Sequence, residues 1–388
     1  MTRPGQSSPP SVRCPICMCV FEWPDAYSDE LDDMLYSRDE ASDDWVRVKA
    51  EELEIYREAD DDPRRLGFRG WLTNKYVKCP NLYKSDGEHF LSYRYGWYED
   101  PLIVGMVGAT TVGKSHLLAA MIGQLMHGVG DLGIQVSPID PARHREYVNE
   151  FVNPLLSNSK VIEATREKAD GDIVRFVDAL RVSRASDGFG RTLAFYDVSG
   201  EDLAVGRRST DFAKMAEGLI FVVDPKLSGL LGPGGRELSD EAFDRVLGLL
   251  DEAGRRDRRT GLYDVDVAVV INKSDVIRFE QAVRHWYRRP RIQGVVEVDQ
   301  IMWESRDAYT LLHSRGAHAW LTPVEACRRA TLHFASATGT ERKDAEELRF
   351  ELPVQPRRVL EPLISLLAMA GIIDEKLLRA KVTQGLGV

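Results

Sequence analysis

The residues with the plainest chemistry lie in one run, Gly108-Ala109-Thr110-Thr111-Val112-Gly113-Lys114-Ser115. They satisfy G-x-x-x-x-G-K-[ST] at every constrained position, a spacing that cradles phosphate. The glycines let the backbone curl until several N–H groups face inward, and a helix starting there adds unpaired donors and positive partial charge. Lys114 is expected to reach the β- and γ-phosphates of a nucleotide and Ser115 to bind Mg²⁺, with His116 next on the same helical turn.

Three further patterns follow. Asp197-Val198-Ser199-Gly200 reads D-x-x-G: Asp197 can hold the Mg²⁺ shell and the Gly200 N–H can sense a γ-phosphate. The pattern is short and recurs by chance. Asn272-Lys273-Ser274-Asp275 reads N-K-x-D and is more specific. A carboxylate offers two acceptors side by side, and guanine offers N1–H and N2–H₂ as paired donors. Adenine has no such pair and would leave Asp275 unmatched, so the site can reject it by orders of magnitude. The stem of Lys273 can lie along the base plane. Last comes Ser336-Ala337-Thr338, whose backbone N–H can meet guanine O6.

These residues need elements to hold them. Apolar runs at 103–107, 134–136, 193–196, 219–223, 267–271 and 332–335 alternate with helix-patterned stretches. The alternation predicts parallel βαβ units with helices on both sheet faces, that is, an α/β three-layer sandwich with a mostly parallel sheet. Ligands bind such sheets beyond the carboxyl ends of the strands, where each motif falls. Pro362 with Leu363, Ile364, Leu366 and Leu367, closed by Gly371, predicts a late helix, and Lys376, Leu377, Leu378 and Lys381 one more short helix.

The N-terminal part differs. Residues 1–13 are Ser/Pro-rich and read as a disordered lead. Cys14-Pro15-Ile16-Cys17, followed by Cys19, is half of a zinc knuckle, and Cys79-Pro80-Asn81-Leu82 repeats it with Leu82 at the fourth-ligand position. Cys14, Cys17 and Cys79 are therefore candidate Zn²⁺ ligands, with Cys19 or His89 as the fourth; a relic knuckle that packs without metal is the other reading. Residues 14–98 form this module, with an acidic insertion in which Trp45, Val48, Ile55 and Tyr56 share one helical face. Residues 99–388 form the nucleotide domain, with insertions at about 139–190 and 277–330 and closing C-terminal helices.

The net charge is −10, concentrated in residues 25–62. Acidic balance argues against general nucleic-acid binding. Arg284 to Arg291, basic with an aromatic pair inside it, reads first as a solvated rim. No run approaches a membrane span, and five cysteines without a secretory signal point to a reducing cytoplasm.

From residue 101 to 339 the four motifs, in this order and each at a strand end, resemble the translation-factor-related (TRAFAC-like) class of P-loop GTPases. More narrowly the chain looks like bacterial double-GTPase or GTPase-associated-system proteins, some of which carry an N-terminal zinc-ribbon-like module. The resemblance implies GTP or GDP with Mg²⁺, switch segments ordered by the γ-phosphate, and protein partners. It also implies a switch I threonine; Thr165 is the only threonine between Val112 and Gly190. The sequence departs from the class in reading S-A-T for S-A-K or S-A-L. It also places Glu201 where Ras-like members have the glutamine that orients the attacking water. Hydrolysis is thus expected to be slow or partner-dependent. Glu201 and the damaged knuckle favour the alternative, a non-hydrolysing scaffold subunit; an ATPase using the phosphate loop alone is disfavoured by Asn272–Asp275.

Overall fold

A computed structural model describes residues 11–39, 42, 44–58, 67–80, 87–97, 101–162, 174–199, 207–232, 240–290, 292, 294–341 and 348–379. The chain divides into two compact units, Met1–Pro101 with Pro138–Pro141, and Leu102–Ser137 with Ala142–Val388.

In the larger unit the strands are β1 (Leu102–Gly108), β2 (Ile134–Pro138), β3 (Val174–Arg184), β4 (Gly190–Ser199), β5 (Gly218–Val223), β6 (Tyr263–Ile271) and β7 (Cys327–Phe334). They form one sheet in the order β7-β6-β5-β1-β4-β3-β2. β1 pairs in parallel with β4 and β5, β5 with β6, and β6 with β7. β3 runs antiparallel to β4, which makes the sheet mixed. Sequence reading left β3 inside a polar insertion. Its buried Val174, Ala179, Leu180 and Val182 are interrupted by Arg175, Asp178 and Arg181, so the alternation is broken and the apolar signal diluted.

Side chains alternate across each strand, so every central strand feeds two cores. Val104, Met106, Ile220, Val222, Ala268 and Val270 point to one face, under helices Lys114–Gly128 (α1) and, at the chain's end, Glu361–Met369. The opposite face is covered by α2 (Arg207–Met215) and α3 (Glu241–Glu252). There Phe212 stacks obliquely on Tyr196 with ring centroids 5.5 Å apart, and Phe243 meets Phe221 edge-on at 4.7 Å. Layers on both faces give the sandwich expected from the alternation of apolar runs with helical stretches. α3 shows why its segment is helical: Ala242, Phe243, Val246, Leu247, Leu249 and Leu250 are buried at helical spacing, and Asp240 caps it by accepting from the Ala242 N–H at 2.9 Å.

The region 277–330 is built mainly of helices, the longest being α4 (Val298–Ser314). α4 is pinned to β7 through Ser305, whose hydroxyl accepts from the Leu332 N–H at 2.9 Å. The basic–aromatic run turns partly inward: Trp286 is buried, its Nε1 donates to Asp307 at 2.7 Å, and Arg289 lies over its ring. The late helix, α5 (Glu361–Met369), starts with Pro362 in its first turn, and Gly371 follows it in the left-handed conformation. In place of the short helix expected over 376–381, Glu375–Leu377 make one 3₁₀ turn, and Leu378–Arg379 are drawn into a two-residue strand by pairing with Val296–Glu297; Lys381 lies outside the described residues.

The smaller unit holds a hairpin, Ser11–Arg13 with Val20–Glu22, and a four-stranded antiparallel sheet ordered Trp45–Arg47, Leu35–Arg38, Tyr76–Lys78, Phe90–Ser92. The acidic insertion is not one helical face. Trp45 lies in an edge strand, stacked on Phe90 at 4.3 Å, while helix Ala50–Glu58 buries Leu53 and leaves Ile55 exposed. Among the described residues no helix is long and apolar enough to cross a membrane.

Gly105 in β1 is a packing constraint. A Cβ there would sit 2.5 Å from Phe212 Cζ. Gly105→Val should therefore cost about 1–3 kcal/mol by overpacking, read as a lower denaturation midpoint in urea.

Candidate functional site

The loop between β1 and α1 takes backbone conformations that its residue types permit only in part. Gly108 and Gly113 have φ of +155° and +91°. A Cβ at Gly108 would come within 2.8 Å of the Val222 carbonyl, and one at Gly113 within 2.8 Å of Asn272 Nδ2. Thr111, not a glycine, also has positive φ, +74°. Such backbone costs on the order of 1 kcal/mol or more per residue and persists where the surroundings hold it. Here they do. Lys114 Nζ donates to the Gly108 and Ala109 carbonyls at 2.6 and 3.0 Å, and the Ala109 N–H donates to Asp240 Oδ2 at 3.3 Å.

The loop after β6 is fastened to the same backbone. Asn272 is buried; its Nδ2 donates to the Val112 carbonyl at 2.9 Å and its Oδ1 accepts from the Ala337 N–H at 3.3 Å. Lys273, in left-handed backbone at φ +51°, donates to the Thr111 carbonyl at 2.8 Å and to Asp224 at 2.5 Å. Asp275 accepts from the Ser336 hydroxyl at 2.5 Å through Oδ1. The residues picked out as N-K-x-D and S-A-T thus lie within hydrogen-bond reach of one another and of the phosphate-type loop. The loop after β7 is supported from downstream. Ser336 and Arg357 exchange backbone hydrogen bonds of 2.9 and 2.8 Å, and the Gln355 N–H donates to the Thr338 carbonyl at 2.7 Å. Gly339 permits this approach, since a Cβ there would lie 2.5 Å from the Gln355 carbonyl oxygen.

Asp197, near the end of β4, presents a buried Oδ1 with no hydrogen-bond partner among the described residues. Burial raises its pKa above the usual carboxylate value, against the opposing pull of Lys114, Arg175 and a Ser115 hydrogen bond. A buried, orphaned carboxylate oxygen beside a serine hydroxyl is a hard-oxygen pair of the kind Mg²⁺ takes. Burial likewise raises Asp240. Gly200, Glu201 and Thr165 lie outside the described residues.

Two acids on this rim belong to no motif. Asp224 is the first residue after β5, the register that Asn272 has after β6, so its position was a usable signal. Asp240 carries the helix-cap signature, an Asp directly before an apolar-periodic run.

No family model matches this chain, and no curated protein matches it. Solved structures with some likeness include the Ski7 GTPase-like domain of S. cerevisiae bound to GTP, 14% identical, covering 73% of this chain and 51% of that one, with a TM-score of 0.32. Another is the signal recognition particle receptor SRb-GTP/SRX complex from Chaetomium thermophilum, 15% identical, covering 63% and 94%, also with a TM-score of 0.32. The chain thus spans about half of the Ski7 chain. The strand order and loop geometry given above establish an α/β sandwich with a glycine loop between its central strand and the following helix.

The second cluster is in the smaller unit. Cys14, Cys17, Cys79 and His89 are all buried, and their donor atoms lie within 4.8 Å of one another. Cys14 Sγ is 3.2 Å from His89 Nε2, and Cys17 Sγ is 3.6 Å from Cys79 Sγ. The N–H groups of Ile16 and Cys17 point at Cys14 Sγ, at 3.3 and 3.4 Å, as a knuckle turn directs them. His89, one of the two candidates for the fourth position, lies among the three cysteines. Cys19 also touches the cluster, 3.1 Å from Cys17 and 3.3 Å from Cys79. Burial pushes the Cys14 thiol up, while hydrogen bonds from Cys14 and Cys79 hold the Cys17 thiol below its ordinary pKa.

Asn272→Ala would leave the Val112 carbonyl and the Ala337 N–H buried without partners. Stability should fall by about 1–3 kcal/mol, measurable by equilibrium unfolding.

Proposed function

We propose that the protein is a guanine-nucleotide-binding switch with slow GTPase activity. One observation carries this: Asn272 and Lys273 are hydrogen-bonded to the Val112 and Thr111 carbonyls of the glycine loop, so a base reader and a phosphate cradle form one continuous rim. In this reading Asp275 accepts from guanine N1–H and N2–H₂, the Lys273 stem lies against the base, and a backbone N–H of the Ser336–Thr338 loop meets O6. The amides of Gly108 to His116 and the Lys114 ammonium bind phosphate oxygens. Ser115 and Asp197 would hold Mg²⁺, which neutralises charge developing on the phosphates. Gly200, Glu201 and Thr165 are proposed for the γ-phosphate side, with Glu201 a poor substitute for a water-orienting glutamine. Turnover is then about 10⁻⁴ to 10⁻² per second without a supplied arginine, and protein partners are proposed as stimulators. The scaffold alternative keeps the nucleotide and lacks turnover, so single-turnover phosphate release separates the two.

The cysteine cluster is proposed as a structural Zn²⁺ site of Cys14, Cys17, Cys79 and His89. A closed set of four soft or borderline donors suits zinc and leaves no position open for catalysis.

Labelled GDP should bind far more tightly than labelled ADP, and Lys114→Ala should abolish binding. Asp275→Asn replaces one acceptor by a donor, which suits xanthine; preference should move from guanosine to xanthosine nucleotides, read by competition. Equal competition by ATP in the unaltered protein would refute the base-reading argument. For the metal, elemental analysis should find about one zinc per chain; Cys79→Ser should lose it, and a chelator should lower the thermal midpoint.

A further inference from the structure

Asp224 is mostly shielded from solvent and stands between the two loops that the guanine reading uses. Its Oδ2 pairs with Lys273 Nζ at 2.5 Å, while its Oδ1 accepts from the Lys226 N–H at 2.7 Å. Its own backbone is held in turn, because its carbonyl accepts from the Ser228 N–H at 3.0 Å and hydroxyl at 2.9 Å. The carboxylate is therefore aimed by a local turn before Lys273 arrives.

The consequence falls on Lys273. An ammonium has three donors and rotates freely on a flexible stem. Two of its donors are taken, one by Asp224 and one by the Thr111 carbonyl. The head is thereby tethered to the phosphate-type loop, and the stem passes Gly113, whose hypothetical Cβ lies 3.8 Å from Lys273 Cε. With the head tethered, the methylenes between it and the backbone form an apolar strip of the kind lysine stems lay along flat surfaces. The left-handed backbone of Lys273 needs holding in place, and the charge pair supplies that.

We propose that Asp224 is a positioning residue for base recognition: it holds the Lys273 head on the glycine loop and so keeps the stem laid out where the guanine ring stacks. This rests on the guanine-nucleotide reading above. Asp224 touches neither base nor phosphate in this scheme; it acts through the lysine.

The test is a double-mutant cycle on GDP affinity, with inorganic pyrophosphate as the ligand that has no base. Asp224→Asn should weaken GDP about tenfold, the loss of one charge-assisted hydrogen bond, while pyrophosphate competition stays unchanged. In the Lys273→Met background, which keeps a stem but has no ammonium, Asp224→Asn should have no further effect. If Asp224→Asn gives no folded protein, Asp224→Glu serves instead: it keeps the charge and shifts the head, so GDP affinity must fall while pyrophosphate affinity holds. Equal losses for both ligands, or a loss that persists in the Lys273→Met background, would overturn the assignment. Unaltered protein that binds no guanine nucleotide sinks the underlying reading. Unaltered protein that binds GDP while Asp224→Asn binds it equally well sinks only this inference.

Discussion

One carboxamide joins the parts on which the site depends. The Asn272 side chain spans from the Val112 carbonyl, beyond β1, to the Ala337 N–H, beyond β7. Both partners and the amide itself are out of water, where an unmade hydrogen bond costs the full desolvation of the group. The two bonds therefore act as a registration pin between three strand ends. Strand order makes the pin necessary. β5 lies between β6 and β1, so the loop that carries Asn272 must reach across a whole strand to meet the glycine loop.

The electrostatic layout follows from that crossing. Lys114 and Lys273 both turn their heads onto backbone carbonyls of the same loop, and three carboxylates, Asp197, Asp224 and Asp240, back it from the ends of β4 and β5 and the start of α3. Burial raises Asp197 and Asp240 above ordinary carboxylate values, and Lys114 offsets part of the rise in each. Of the three acids, Asp224 holds a cation directly, the Lys273 ammonium, while Asp240 accepts from the Ala109 N–H of the loop.

The sequence made some of this readable and hid the rest for physical reasons. The glycine loop and the N-K-x-D residues were legible because backbone curling and paired-acceptor geometry each demand particular residue types at fixed spacing. The central strands were legible as apolar runs because both their faces are buried. β3 was not, since Arg175, Asp178 and Arg181 interrupt its apolar residues, and Asp178 is buried against His144 at 2.6 Å. Asp224 and Asp240 were missed because one acid after a strand or before a helix has an ordinary local explanation, and only the fold brings it to the loop. That His89 lies beside the cysteines was not legible either; it follows from the pairing of strand Tyr76–Lys78 with Phe90–Ser92, which carries it back to Cys79. Trp45 and Ile55 were read onto one helical face, but a strand edge claimed the tryptophan.

The downstream segment that pairs with Ser336 and Thr338 bears on how much chain the larger unit needs. Arg358, in left-handed backbone at φ +54°, is anchored to buried Glu304 at 2.7 Å, and the residues before it form an edge for the loop after β7. A fragment stopping shortly after the last motif would retain every signature residue and yet strip that loop of its neighbour. The working boundary of the domain is thus a matter of backbone support and falls past residue 358, beyond the point where motif searching alone would draw it.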